Sequence, residues 1–444
     1  MSSSDTIVAL ASGSLPSAIA LLRVSGPAVG DLTENYLRCG CLQHRQATIT
    51  TLRDADGQVI DEVVATLFVS PKSYTGEDVL ELGLHGGRAV VARALDVLTA
   101  PDGVRIARPG EFTRRAVLSG KLDLVEAEGV ADLVDAETEA QRKLALAQLS
   151  GGASEIINAW HAQLIEVMAL VEVAVDFPDE EEAPHETGSA VEERVNRLIA
   201  ALEEALLRAR RGMQVRDGHA IAIVGAPNAG KSTLLNKLAQ RDVAIVSDTP
   251  GTTRDVIEIR LNLNGRLVRL QDTAGIRASR DAIENEGIRR ARNAASEADL
   301  VIAVYDRSEH KDLPPDLLSL GPDLVVANKV DLIGPAEDVS RETLSVSALS
   351  GEGMDGLLEA IVALIEGDQT DRADPIITRE RHLAAITAAH GSLLNARANI
   401  HGALGAELVA EDIRLAGRAL QELLGRVDVE DVLGSIFSSF CIGK

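Results

Sequence analysis

Aromatic side chains are nearly missing from this sequence: five Phe, three Tyr and one Trp among 444 residues. Its cores are therefore aliphatic, drawn from a 45% hydrophobic content that is ample for sizeable cores. Cysteine is as scarce. Cys39, Cys41 and Cys441 make neither a disulfide framework nor a zinc-ligand spacing, which fits a reducing, cytoplasmic setting. Positive charge is in short supply, with 44 Lys and Arg against 68 Asp and Glu and a net charge of −24. That excludes a broad electrostatic grip on nucleic acid, but not a small basic site or a partner that supplies the positive surface. No stretch reaches the roughly 18 uninterrupted apolar residues of a membrane span. The opening Met1-Ser-Ser-Ser-Asp5 lacks the basic and apolar regions of a signal peptide. A cytoplasmic protein with no membrane attachment is expected.

One octet carries the most information. Gly225 to Ser232 fits the pattern G-x-x-x-x-G-K-S, follows an apolar run that reads as a buried strand, and opens a helical pattern at Thr233. Such glycines let backbone N–H groups curl around phosphate oxygens, and the helix N-terminus adds partial positive charge. Asn228, Ala229, Gly230, Lys231, Ser232 and Thr233 are expected around the phosphates. Lys231 reaches the outer ones, and the Ser232 hydroxyl holds Mg2+. Three later segments, each after a strand-like run, add to this. In Asp272-Thr-Ala-Gly275, the Asp suits the magnesium shell and the Gly275 N–H a terminal phosphate. In Asn328-Lys329-Val-Asp331, the Asp331 carboxylate can accept two hydrogen bonds from the N1 and N2 edge of guanine, which adenine does not offer. In Ser347-Ala348-Leu349, a backbone N–H can meet the guanine carbonyl. Together they predict a GTP-binding domain.

The Gln that orients the attacking water in Ras-like domains is replaced by Ile276, which cannot orient water. The stretch Gly251-Thr-Thr-Arg-Asp255 offers Thr253 to close the magnesium shell. Arg254 and Arg277 are either arginine fingers or solvated surface. Asn228 lies three residues before Lys231. Its side-chain carbonyl can ligate a monovalent cation that neutralises charge developing in transfer, or can hold the shape of the loop.

Around this domain the pattern changes. Residues 1–119 mix short β-branched runs with a helical stretch at 88–98, as in a small α+β domain. Residues 120–216 show long helical periodicity, interrupted by an acidic stretch around Asp179 and Glu180 that reads as a solvated loop. The GTP-binding domain takes 217–375, and 376–444 returns to Ala- and Leu-rich helices. The expected fold is multidomain: an N-terminal α+β domain, an all-α helical domain, and an α/β P-loop GTPase (Ras-like) domain inserted in the latter. The tail places Cys441 fourth from the end. A terminal Lys444 and the lack of a polybasic run speak against prenylation.

These segments carry a resemblance. The octet, Gly251 to Asp255, Asp272 to Gly275 and the terminal Cys441-Ile-Gly-Lys444 resemble the MnmE/TrmE tRNA-modification GTPases. So do Leu21-Leu-Arg-Val-Ser-Gly26, Ser73-Tyr-Thr-Gly-Glu-Asp78, His85-Gly-Gly87, Arg108-Pro-Gly-Glu-Phe-Thr113 and Gly120 to Glu128. The resemblance covers the whole chain. It implies a folate-binding and dimerisation domain at 1–119, a helical domain at 120–216 and 376–444, and the GTPase domain at 217–375. It implies a homodimer that joins an FAD-dependent partner in a heterotetramer. That assembly adds an aminomethyl or carboxymethylaminomethyl group to carbon 5 of the tRNA wobble uridine, with a tetrahydrofolate derivative as one-carbon source.

It also implies residue roles. Potassium falls on Asn228, Ser247, Thr249 and Thr252, and magnesium on Ser232 and Thr253. Ser247 and Thr253 join the GTP contacts. Glu284, rather than its neighbour Glu286, is the water-positioning carboxylate. Folate falls on Arg23, Glu81, Lys121 and Lys444, with Cys441 beside the one-carbon unit. One departure is Ser12-Gly-Ser-Leu-Pro-Ser17, where the family carries a glycine-rich Pro-Gly segment. The alternative reading is a regulatory GTP switch in ribosome assembly, since assembly GTPases share much of the loop and switch pattern.

Overall fold

A computed structural model describes residues 5–37, 42–176, 183–241, 243–245, 258–272, 292–333, 343–366, 376–400, 405–427, 433, 434, 436, 437, 440 and 443, with backbone alone at 174–176, 183–187, 258, 272 and 405. The chain forms two compact units, one of residues 1–131, 148–195 and 391–444, the other of 132–147 and 196–390.

The first unit begins with β1 (Thr6–Leu10), β2 (Ser17–Ser25), α1 (Val29–Tyr36), β3 (Thr48–Arg53), β4 (Val59–Phe68), β5 (Val79–Gly86), α2 (Arg88–Leu98), β6 (Val104–Ile106) and α3 (Glu111–Leu118). Its six strands run in the order β3-β4-β5-β2-β1-β6, with only β1 and β6 parallel. The two-residue period of a strand sorts the side chains. Ala20, Leu22 and Val24 of β2 and Leu80, Leu82 and Leu84 of β5 point into one core, where Leu32, Val91, Ala94 and Leu98 from α1 and α2 cover them. Each buried Leu contributes roughly 1.5–3 kcal/mol. The residues between, including Leu21, Arg23, Glu81 and Gly83, fall on the other face.

Helices follow: α4 (Leu124–Asp135), α5 (Glu139–Leu149), α6 (Gly152–Asp176) and α7 (Ala183–Asp217). Residues Gly152–Val173 of α6 are long and apolar enough to cross a membrane by length and composition alone. The expectation that no uninterrupted apolar run reaches that length stands, because Glu155, Glu166 and Glu172 interrupt the segment. Trp160, Leu164, Val167 and Val171 on this helix are buried. It packs against a C-terminal helix at Gly405–Leu423, where a Cβ on Gly417 would lie within 3.8 Å of His161 and 4.0 Å of Leu164. A Cβ there would make only ordinary van der Waals contact. Phe437 and Phe440 pack with Leu124 and Ala127 of α4.

The second unit holds β7 (His219–Val224), α8 (Lys231–Ala239), β8 (Ala244–Ile245), β9 (Glu258–Leu263), β10 (Arg266–Asp272), β11 (Leu300–Asp306), α9 (Pro315–Leu318), β12 (Leu324–Asn328), β13 (Thr343–Ser345), α10 (Met354–Glu366) and α11 (Glu380–Asn399), the last continuing beyond the unit; the C-terminal helix is α12. Its seven-stranded sheet runs β13-β12-β11-β7-β10-β9-β8. The first five strands in that order are parallel, and β9 and β8 run antiparallel at the edge. Strands buried on both faces need continuous apolar runs, and Ile221 to Val224 and Val301 to Tyr305 supply them. Leu234, Leu238, Leu357 and Ile361 from α8 and α10 pack on one face. Leu317 of α9 and the side chains of Ala222, Ala303 and Tyr305 fill the other.

Residues 132–147 stand in this unit with the sheet. Ala140 N donates to Gly265 O (3.2 Å), and Arg260 pairs with Glu137 (3.1 Å). Arg216 Nε (3.0 Å) and Arg379 Nη2 (2.6 Å) both meet Asp132 Oδ1.

Candidate nucleotide site and a second polar site

The carboxyl ends of the parallel strands β7, β10, β12 and β13 meet at one edge of the sheet, the usual place for a ligand in such folds. Between β7 and α8 runs the 225–230 loop. A Cβ on Gly225 would stand 2.1 Å from Val304 O, so only glycine leaves β7 here. Gly230 takes φ 91°, and a Cβ there would stand 2.2 Å from Asn328 Nδ2. Asn228 is exposed at φ 66°, in the left-handed region that Asn tolerates better than most residues. Lys231 is buried, and its ammonium donates to Gly225 O (2.7 Å) and Ala226 O (2.9 Å), inside the loop. Ser232 and Thr233 are exposed in the first turn of α8.

The base-recognition segments come to the same place. Asn328 ends β12, is 1% exposed, and donates from Nδ2 to Ala229 O at 2.8 Å while its Oδ1 accepts from Ala348 N at 3.0 Å. Ser347 is buried, its N donating to Glu352 O. Leu349 and Asp331 are exposed, the latter in the short 3-10 turn Val330–Leu332. Lys329 sits at φ 66° with its Nζ 2.5 Å from Asp306 Oδ2. The backbone of Asp272 ends β10, in register with Ile223 of β7. Ser247, Thr249, Thr252, Thr253, Arg254, Gly275, Ile276, Arg277, Glu284 and Glu286 lie outside the described residues.

These residues fit a guanine nucleotide. Gly225 and Gly230 let the loop pass tightly against the Val304 carbonyl and Asn328 Nδ2, Lys231 is poised inside the loop, and Asn328 binds the phosphate loop to the Ser347–Ala348 turn. Ser232 opens α8 beside the loop, and the backbone of Asp272 ends β10 next to β7. Asn228 is accessible for a cation. A cleft of about 390 Å3 lined by Asp217, Arg260, Leu267 and Arg269 opens before β7, at the opposite end of that strand from the loop.

The first unit has a second polar site. Arg23 and Glu81 face each other across β2 and β5, with Nε 2.9 Å and Nη2 2.8 Å from Glu81 Oε1. The guanidinium also lies over Tyr74 (5.3 Å to the ring centre) and Phe112 (5.8 Å), a cation–π seat. Lys121 Cε stands 3.6 Å from where a Gly76 Cβ would be, against the loop that carries Tyr74. Gly443 is buried at φ 101°, and a Cβ there would stand 2.1 Å from Leu10 O, so the tail reaches the end of β1. Cys441 and Lys444 on either side of it lie outside the described residues. Tyr74 and Phe112 are site residues that sequence reasoning missed as individuals, though both fall inside segments that carried the resemblance.

Comparison with known proteins decides the family. A family model described as MnmE helical domain matches residues 124–441, and one described as GTP-binding protein TrmE N-terminus matches residues 6–121. The chain belongs to the MnmE family. The tRNA modification GTPase MnmE of Hyphomonas neptunium is 49% identical over 444 residues, spanning 100% of both chains. That of Rhodopseudomonas palustris is 46% identical over 450 residues, spanning 100% of this chain and 99% of the other. A solved structure of a variant of Era from Aquifex aeolicus, bound to GDP and AlF4−, is 30% identical but covers 40% of this chain and 67% of that one at a TM-score of 0.27. The fold therefore rests on the geometry above. In this MnmE-family GTPase the α+β domain, the helical domain and the P-loop domain expected from sequence are all present.

Proposed function

We propose that this chain hydrolyses GTP to drive or gate modification of the wobble uridine of tRNA. In this reading it adds an aminomethyl or carboxymethylaminomethyl group to carbon 5, together with an FAD-dependent partner in a heterotetramer. The observation that carries the reading is the pairing of two unlike sites in one chain: a nucleotide cradle tied together by Asn328, and an Arg23–Glu81 site that the C-terminal tail approaches through Gly443.

At the nucleotide, Lys231 neutralises the outer phosphates and Asp331 reads the guanine edge. Asn228, with Ser247, Thr249 and Thr252, holds a potassium ion, and Ser232 with Thr253 holds magnesium. Bound there, the cations supply positive charge where the transferring phosphoryl group gains negative charge. Glu284 orients the water that Ile276 cannot.

At the second site, Arg23, Lys121 and Lys444 offer positive charge to the carboxylates or carbonyl of a tetrahydrofolate derivative, and Glu81 accepts from its pterin N–H edge. Cys441 lies beside the one-carbon unit. Homodimerisation through residues 1–119 is supported by the sheet face around Gly83, where Ile19 is 69% exposed and Val64 45%. The net charge of −24 supports a division in which the partner holds most of the tRNA. The domain limits 1–119, 120–216, 217–375 and 376–444 belong to the same proposal.

The test is nucleoside analysis of tRNA from cells lacking the protein. Loss of the modified wobble uridine is expected; an unchanged wobble uridine overturns the reading, and a ribosome-assembly defect in its place favours a regulatory GTP switch.

A further inference from the structure

We propose that Asp306 is a positioning residue for guanine-nucleotide recognition, acting by holding Lys329 against the base. This rests on the reading of Asn328 to Asp331 as the base site. Lys329 is a non-glycine residue at φ 66°, a conformation that persists only where its surroundings enforce it. Its neighbour Asn328 is locked by two hydrogen bonds, neither of which involves the Lys329 side chain. What holds it is Asp306 Oδ2, 2.5 Å from Nζ.

Asp306 is built for that task. It ends β11 in register with Asn328 on β12, and Arg307 N donates to Asn328 O at 2.9 Å, so its backbone is fixed to the base-recognition strand. Its side chain is 5% exposed. Its other oxygen, Oδ1, accepts from Ser308 N (2.9 Å) and Ser308 Oγ (2.6 Å), which sets the plane of the carboxylate and turns Oδ2 toward Lys329. Burial works to raise this carboxyl, yet Lys329 and the Ser308 donors outweigh it and hold it below its ordinary value. The charge is therefore kept, and a charged acceptor grips an ammonium more tightly than a neutral one. With Nζ anchored beyond the site, the four-carbon stem of Lys329 is stretched into a fixed wall on which a flat base can lie.

The experiment uses the full chain, a fluorescent N-methylanthraniloyl GDP, and steady-state GTP turnover. Asp306→Asn keeps the shape and removes the charge. It is expected to weaken the GDP analogue about tenfold and raise KM for GTP by a similar factor, with kcat unchanged. Ser308→Ala lies at the surface and tests the same hold without touching the core; about threefold is expected. Each variant is then made in a Lys329→Ala background, where neither is expected to cause a further loss. A loss of the same size in that background means that Asp306 acts through folding alone and overturns the proposal, as does an Asp306→Asn variant that binds like the parent. If Lys329→Ala by itself leaves GDP affinity unchanged, the base site lies elsewhere, and that result is distinguished by the single variant before any pair is made.

Discussion

Asn328 Nδ2 and the Ala229 carbonyl, 99 residues apart in the chain, are joined by a buried hydrogen bond of 2.8 Å. The phosphate end and the base end of the nucleotide site are thereby one object. Asn328→Ala leaves Ala229 O and Ala348 N without their partner, at about 1–3 kcal/mol each. Nucleotide affinity is expected to fall at least about tenfold, with a lower midpoint in thermal unfolding. A titration with fluorescent GDP that matches the parent protein would remove the coupling role of Asn328.

Asp331 is exposed at the end of the Asn328–Asp331 segment, and the proposed reading has its carboxylate accept from two guanine donors. Asp331→Asn replaces an acceptor with a donor that suits the C2 carbonyl of xanthine. GTP turnover is expected to show a KM about a hundredfold higher, while XTP becomes a substrate. Unaltered preference for GTP would place base recognition elsewhere.

Asn228 presents its side chain to solvent from a left-handed backbone. GTP turnover is expected to be faster in potassium than in sodium, and Asn228→Ala is expected to lower the potassium rate roughly a hundredfold. Equal rates in the two salts would end the cation role.

Arg23 lies between Glu81 and two aromatic rings. Arg23→Ala is expected to weaken binding of a fluorescent folate about tenfold or more, without changing folate-free GTP turnover. Undiminished folate binding by a folded Arg23→Ala protein counts against the second site.

An ion network ties the start of β1 to α3. Arg105 bonds both Asp5 (2.6 Å) and Glu111 (2.8 Å), and Arg115 reaches Asp5, Glu77 and Glu111. Burial works to raise both Glu111 and Asp5, but Arg105 and Arg115 outweigh it and hold them below their ordinary values of 4.5 and 3.8. Carboxyls lowered in the folded state stabilise it above those ordinary values, and the contribution is lost as pH falls through the lowered ones. Acid unfolding followed by circular dichroism is expected to begin at higher pH in Arg105→Ala and in Glu111→Gln. Superimposable curves would show that the network adds nothing.

The nucleotide site was legible because each of its parts is short, contiguous and placed at a strand end. The octet announces its own chemistry, and the apolar run before it announces the strand. Asp306 was not legible. It lies 23 residues from Lys329, belongs to no motif, and ends a strand that reads only as apolar. The seat of Arg23 was partly legible: its segment carried the resemblance, but Tyr74 and Phe112 reach it only when the sheet and α3 are assembled. The placement of residues 132–147 beside β9 and β10 was hidden as well, because helical periodicity says which face is buried and not against what.

The sequence by itself determined what is local in this protein. Glycine at 225 and 230, alternation along β2 and β5, apolar runs in β7 and β11, and the order of four nucleotide segments follow from backbone sterics and side-chain period, which act over a few residues. Tertiary structure decided what is distant: that Asn328 closes on Ala229, that Asp306 holds Lys329, and that Gly443 arrives at Leu10. The physical reason is that a hydrogen bond or an ion pair is specified by positions in space, and chain separation carries almost no information about those until the sheet has set its register.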